Sequence, residues 1–117
     1  KNVFQKLKMV DETKPNPRFG HKMVNDGINT GYIFGGSNLK YEVFSDLWSF
    51  QLLNGKNKWK EIKTKNNVEE RYDHGMIYYD NKIYIIGGYN WDNNYLNDIN
   101  YLELNNNEWK TLNVNNV

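Results

Sequence analysis

Tyr32-Ile33-Phe34-Gly35-Gly36 is followed, 52 residues on, by Tyr84-Ile85-Ile86-Gly87-Gly88. An apolar run closed by a glycine pair, written twice, is the first sign that the chain is built from repeats. Working outward from it, every flanking element has a partner. Arg18-Phe19-Gly20-His21 returns as Arg71-Tyr72-Asp73-His74, and Ser45-Asp46-Leu47 as Asn97-Asp98-Ile99. Trp59-Lys60-Glu61-Ile62 returns as Trp109-Lys110-Thr111-Leu112. The spacing drifts by a few residues between elements, as it does when insertions fall in turns.

Each unit holds four strand-like runs rich in Val, Ile, Tyr and Phe. In the first they are 20–25, 30–36, 46–53 and 58–63; in the second, 72–79, 82–88, 98–104 and 108–112. Asn25-Asp26-Gly27, Asn54-Gly55, Asp80-Asn81 and Asn105-Asn106-Asn107 lie between runs, and all accept positive φ. No stretch sustains a 3.6-residue period, and the chain contains no Ala. Short strands in fours, repeating at about fifty residues, predict an all-β fold made of propeller blades. Phe4-Gln5-Lys6-Leu7 matches the Trp-x-x-Ile/Leu element, so residues 3–8 are read as the outer strand of a preceding blade. The blades proper are expected at 18–63 and 71–113, all parts of one partial propeller domain.

Gly-Gly closing a second strand and Trp opening a fourth is the pattern of the kelch repeat, which this chain resembles. Gly35, Gly36 and Trp59 carry it in the first unit, and Gly87, Gly88 and Trp109 in the second. Arg-x-x-His before the first strand and Asp-Leu-Trp in the third resemble host cell factor and related intracellular scaffolds more than the BTB-kelch adaptors. The chain departs from the family pattern where Phe50 and Leu102 replace a frequent Tyr, and where Asn100 stands opposite Trp48. The resemblance implies a closed ring of roughly five to seven blades. Two blades and a strand cannot close one, so the chain reads as an incomplete segment whose remaining blades lie in a longer native chain, with a ring assembled from several chains as the alternative.

The 117 residues carry a formal charge of +1 from 15 basic and 14 acidic side chains. That balance gives no pull toward nucleic acid or a membrane surface. No apolar run reaches the ~18 residues of a membrane helix. Aromatics make up 15% of the chain, which argues for a folded domain diluted by its 21 asparagines rather than for disorder. Cysteine is absent, which excludes disulfides, thiolate metal sites, cysteine nucleophiles and the cysteine–tyrosine copper centre of galactose oxidase, another kelch-like propeller. It also fits a reducing, intracellular location.

No cofactor, metal or catalytic residue is expected. His21 and His74 occupy equivalent positions in both repeats, and a unique site is seldom copied once per blade. Each is expected to bond within its own blade, to Asp46 or Asp98. Arg18 and Arg71 follow the same reasoning, with a ring of charge around the channel as the alternative. Glu69-Glu70, Asp11-Glu12 and Asp92 read as solvated loops. Trp59 and Trp109 are expected to wedge between blades. The links between second and third strands are long and aromatic, and in an antiparallel blade they share a face with the links between blades. Tyr41, Phe44, Tyr89, Trp91 and Tyr95 lie in them, and exposed Tyr and Trp dominate binding hot spots. These five are therefore the candidate protein-binding residues, with Phe44 and Tyr95 alternatively folding back on their blades. The leading expectation is a non-catalytic interaction module. The regulatory kelch region of an enzyme such as a phosphatase, and a propeller enzyme acting on a sugar or other small molecule, are the alternatives.

Overall fold

The computed structural model describes residues 14–38, 40–53 and 56–112. The strand expected at 3–8, and Asp11-Glu12, lie outside the described residues. Two four-stranded antiparallel sheets follow one another, each in simple sequential order. The first comprises β1 (Lys22–Asn25), β2 (Thr30–Phe34), β3 (Leu47–Leu53) and β4 (Lys56–Glu61). The second comprises β5 (Gly75–Tyr79), β6 (Lys82–Tyr89), β7 (Tyr95–Glu103) and β8 (Glu108–Thr111). No helix occurs among the described residues, and hence none long and apolar enough to cross a membrane.

The strand limits differ from the sequence reading where backbone conformation intervenes. β5 begins at Gly75 rather than Tyr72, because Asp73 sits at φ 55° and turns its N–H to the Gly20 carbonyl (2.8 Å) instead of a neighbouring strand. β7 begins at Tyr95 rather than Asp98. A bulge between Ile86 and Gly88 lets Gly88 pair with Leu96 and Tyr89 with Tyr95, so the hairpin extends past the glycines. β4 starts two residues earlier than expected, at Lys56, which pairs with Leu53.

Side-chain alternation sorts the strands into two faces. Ile83, Ile85, Leu102 and Trp109 point from the second sheet toward the first and are buried there with Phe34 and Leu47. The Phe34 ring meets Trp109 edge-on (5.4 Å between centroids), and Tyr32 stacks over Tyr78 at 6.2 Å. Burying each such side chain stabilises by roughly 1.5–3 kcal/mol. Trp109 thus takes the wedge position expected of it. Trp59 packs on Phe50 of its own sheet (4.8 Å).

Tyr84 and Ile86 occupy the positions that Tyr32 and Phe34 hold in the first sheet, and Ile99 and Leu112 those of Leu47 and Ile62. The first set is covered by the second sheet. The second set has no described sheet over it: Phe34 is 0% exposed but Ile86 37%, with Ile77 and Leu112 at 49% and 44%. The same surface chemistry is therefore buried in one blade and open in the next.

Main-chain hydrogen bonds fasten the seam. Gly36 N–H donates to the Arg71 carbonyl (2.9 Å), Arg71 N–H to the Phe44 carbonyl (3.3 Å), and Asp73 N–H to Gly20 as above. Asn66, in the link between sheets, treats β8 as a strand partner. Its side-chain amide donates to the Trp109 carbonyl (3.0 Å) and accepts from the Trp109 N–H (2.8 Å). The outer edge of the sheet is thereby satisfied by a side chain rather than a strand.

Candidate functional site

Each blade contains one buried arginine clamp. The Arg18 guanidinium donates to both oxygens of Asp46 (2.6 and 3.0 Å) and to the Gly35 carbonyl (3.0 Å). Arg71 repeats the geometry on Asp98 (2.7 and 3.0 Å) and the Gly87 carbonyl (3.1 Å). The bidentate fork ties the segment before the first strand to the third strand across the glycine turn. Trp48 Nε1 donates to Asp46 (2.7 Å), and Asn100, its counterpart, donates to Asp98 (2.8 Å). The two side chains look unrelated but serve the same carboxylate. Hydrogen bonds from Arg71 and Asn100 hold the Asp98 carboxyl below its ordinary range. At Asp46 burial works the other way, and the Arg18 and Trp48 bonds outweigh it.

This overturns the expected histidine–aspartate pairing, because the arginines occupy both carboxylates. His74 is 1% exposed, and neither ring nitrogen has a hydrogen-bond partner; Nδ1 of His21 has none either. The His74 ring lies edge-on to Phe34 (5.6 Å) in the seam between sheets. Burial, then the positive Arg71 and Lys22, drive its pKa down to about 4, with His21 adding a little and the Phe34 backbone opposing. The folded protein refuses a proton that the unfolded chain accepts from about pH 6.5 downward. Stability is expected to fall as pH drops from about 6.5 to about 4, by roughly 3 kcal/mol in total. Denaturant midpoints across that range would show it, and His74→Gln should flatten the slope; an unchanged slope would remove His74 as the cause. At lower pH still, protonation of Asp46 and Asp98 takes further stability as each falls through its depressed pKa.

The arginines are thus structural elements inside each blade. Among the described residues no three of His, Cys, Asp and Glu come together to hold a metal.

The candidate protein-binding residues lie in or beside the loops from second to third strand, which are built alike. Asn38 Oδ1 accepts from Lys40 and Glu42 N–H (2.9 and 3.0 Å), and Asn90 Oδ1 from Asp92 and Asn94 N–H (both 3.0 Å). Each loop then closes with the same main-chain pair: Tyr41 N–H to Asn38 and Asn93 N–H to Asn90 (3.2 and 2.9 Å). Tyr41 and Asn93 fall at the left-handed position of this turn, at φ 65° and 62°. Asn is well suited to it; a bulky Tyr is held there at a cost of ~1 kcal/mol or more.

That turn lifts the side chains off the blade. Tyr41 is 83% exposed and Trp91 62%. They come from different blades but line one groove of about 340 Å³ together with Phe19, Val43 and Tyr72. The Tyr72 hydroxyl bonds the Asn93 side chain at its end. Beside it, Tyr89 stacks on Tyr95 (4.9 Å) and packs against Tyr72 (5.7 Å), forming an aromatic ladder. Tyr95 is therefore exposed on its neighbour rather than folded into the blade. Phe44 stands apart: the Arg18 guanidinium lies 4.2 Å over its ring, which makes it part of the clamp.

Phe19 and Tyr72 were not among the residues singled out from sequence, nor was the role of Glu69, which accepts a bond from Asn90 Nδ2 (2.8 Å) and steadies the second loop. The recurrence of Asn38 as Asn90 at the repeat spacing was the available signal for the loop architecture.

A family model described as the KLHDC2/KLHL20/DRC7 Kelch-repeats domain matches residues 2–117. No curated protein matches the chain.

Proposed function

The chain belongs to the KLHDC2/KLHL20/DRC7 Kelch-repeat family, and from that premise we propose that it supplies two blades of a propeller acting as a non-catalytic protein-interaction module, within an intracellular scaffold or adaptor. The open face of the second sheet supports the presence of further blades, because its apolar positions are those already buried once in the chain. The Arg-x-x-His and Asp-Leu-Trp elements, of which Arg18, Asp46 and Trp48 form the clamp, resemble those of host cell factor-like scaffolds and support a place near them.

The observation that carries the binding reading is the shared groove of Tyr41 and Trp91. Neither residue is needed for packing: the blade's structural tryptophan is Trp109, and Trp91 is mostly in water. Loops on a rigid scaffold are a usual place for recognition, and exposed Trp and Tyr are its commonest anchors. Trp91→Ala in the full-length protein is expected to weaken its partner complex by about thirtyfold while leaving the melting temperature nearly unchanged. Calorimetry on both quantities tests this. Lost stability with intact binding would return Trp91 to a structural role.

A further inference from the structure

We propose that the Tyr41–Trp91 groove accepts a basic side chain, Arg or Lys, from an extended segment of the partner protein. This rests on the reading that the loop face binds protein, and it names the chemistry of what enters.

Three observations point to a cation. First, the groove is lined by four aromatic side chains, Phe19 and Tyr41 from the first blade and Tyr72 and Trp91 from the second. A cation placed over such faces is attracted by their quadrupoles, most strongly over Trp. Second, carboxylates stand next in sequence to the residues that line the groove. Each of three groove aromatics is followed in sequence by a carboxylate: Tyr41 by Glu42, Trp91 by Asp92 and Tyr72 by Asp73. All three acidic residues are exposed. Arg18 is consumed by Asp46, and Lys40 and Glu42 both line a neighbouring cavity and offset one another, which leaves Asp92 and Asp73, each next in sequence to a groove aromatic. Third, the same loop already holds a cation on an aromatic ring, Arg18 over Phe44. The groove is lined by aromatic side chains of the same kind, with Asp92 and Asp73 next in sequence to two of them. Charge complementarity at such a site orients and speeds encounter as well as adding affinity.

The fixed loop frame makes the arrangement specific. Asn38 and Asn90 hold the two turns by paired hydrogen bonds, so the backbone that carries Tyr41 and Trp91 is fixed within each loop before anything binds. Binding then has side-chain rotamers to order but not the turns themselves.

The test is selection of phage-displayed random dodecapeptides on the full-length protein at about 0.15 M salt. Enrichment of Arg or Lys at one fixed position is expected. For a selected peptide, Trp91→Ala and Tyr41→Ala should each lower affinity by about thirtyfold. Citrulline in place of the peptide's arginine, or norleucine in place of its lysine, should lower it by tenfold or more. Asp92→Asn should lower it by roughly two- to fivefold and flatten its salt dependence. Peptides that depend on Trp91 but are proline-rich or otherwise lack a basic residue would overturn the cation and leave the loop-face reading standing. Peptides unaffected by both Trp91→Ala and Tyr41→Ala would overturn this groove as the site. A library that yields no peptide would overturn both.

Discussion

Gly35→Val is expected to destabilise the fold further than any other single glycine replacement among the described residues, by roughly 4 kcal/mol in denaturant unfolding. Two separate costs meet at this residue. Its φ of 76° is left-handed, where a β-branched side chain is strained. A Cβ there would also lie 2.6 Å from the Arg71 carbonyl and 2.9 Å from Cε1 of His74. Neither neighbour can yield cheaply, since the carbonyl accepts the seam bond from Gly36 and the imidazole is boxed in by Phe34. Gly27→Val separates the two costs, because Gly27 has φ 82° but nothing within 4 Å of its Cβ position. It should lose only the strain, about 1–2 kcal/mol. Gly87→Val should fall between them, for its Cβ position meets only the Leu96 carbonyl at 3.3 Å. Equal losses at all three positions would mean that the sheets do not pack as closely as described.

Arg71→Met is expected to cost roughly 3 kcal/mol, the lower end for breaking a buried ion pair. The Arg71 side chain is fully buried, and its loss strands the Gly87 and Glu69 carbonyls as well as Asp98. Asp98 keeps about a third of its side chain in water, which softens the loss. Arg71→Lys should recover less than half, because a single ammonium cannot reproduce the two-pronged bond. A double-mutant cycle with Asp98→Asn would measure the coupling. A loss under 1 kcal/mol for Arg71→Met would show that the clamp is incidental to stability.

The repeated glycines, the tryptophans and the strand order were legible because each is a local pattern written twice. The arginine clamp was legible in principle: Arg18 and Asp46 stand 28 residues apart, Arg71 and Asp98 27. It was misread because histidine, three residues after each arginine, offered an equally plausible partner at similar spacing. Only the direction in which each side chain leaves the backbone decides between them. The interchange of Trp48 and Asn100 hid the same way, since an indole and an amide share nothing but an N–H. The groove could not be read from repeat alignment at all. Its two walls occupy different positions of the turn, Tyr41 matching Asn93 and Trp91 matching Leu39, and they meet only because neighbouring blades sit side by side.

The seam has a consequence for how such a chain changes over generations. Its fastening bonds at Gly36, Arg71, Phe44, Asp73 and Gly20 are all between peptide groups. Such bonds are indifferent to side-chain identity, provided that the glycine turn persists. A blade copied and inserted beside its parent meets a neighbour it can already latch to, before any substitution has tuned the apolar fit. Blades can then be added as whole units, while the exposed loops of each new copy are free to diverge in sequence.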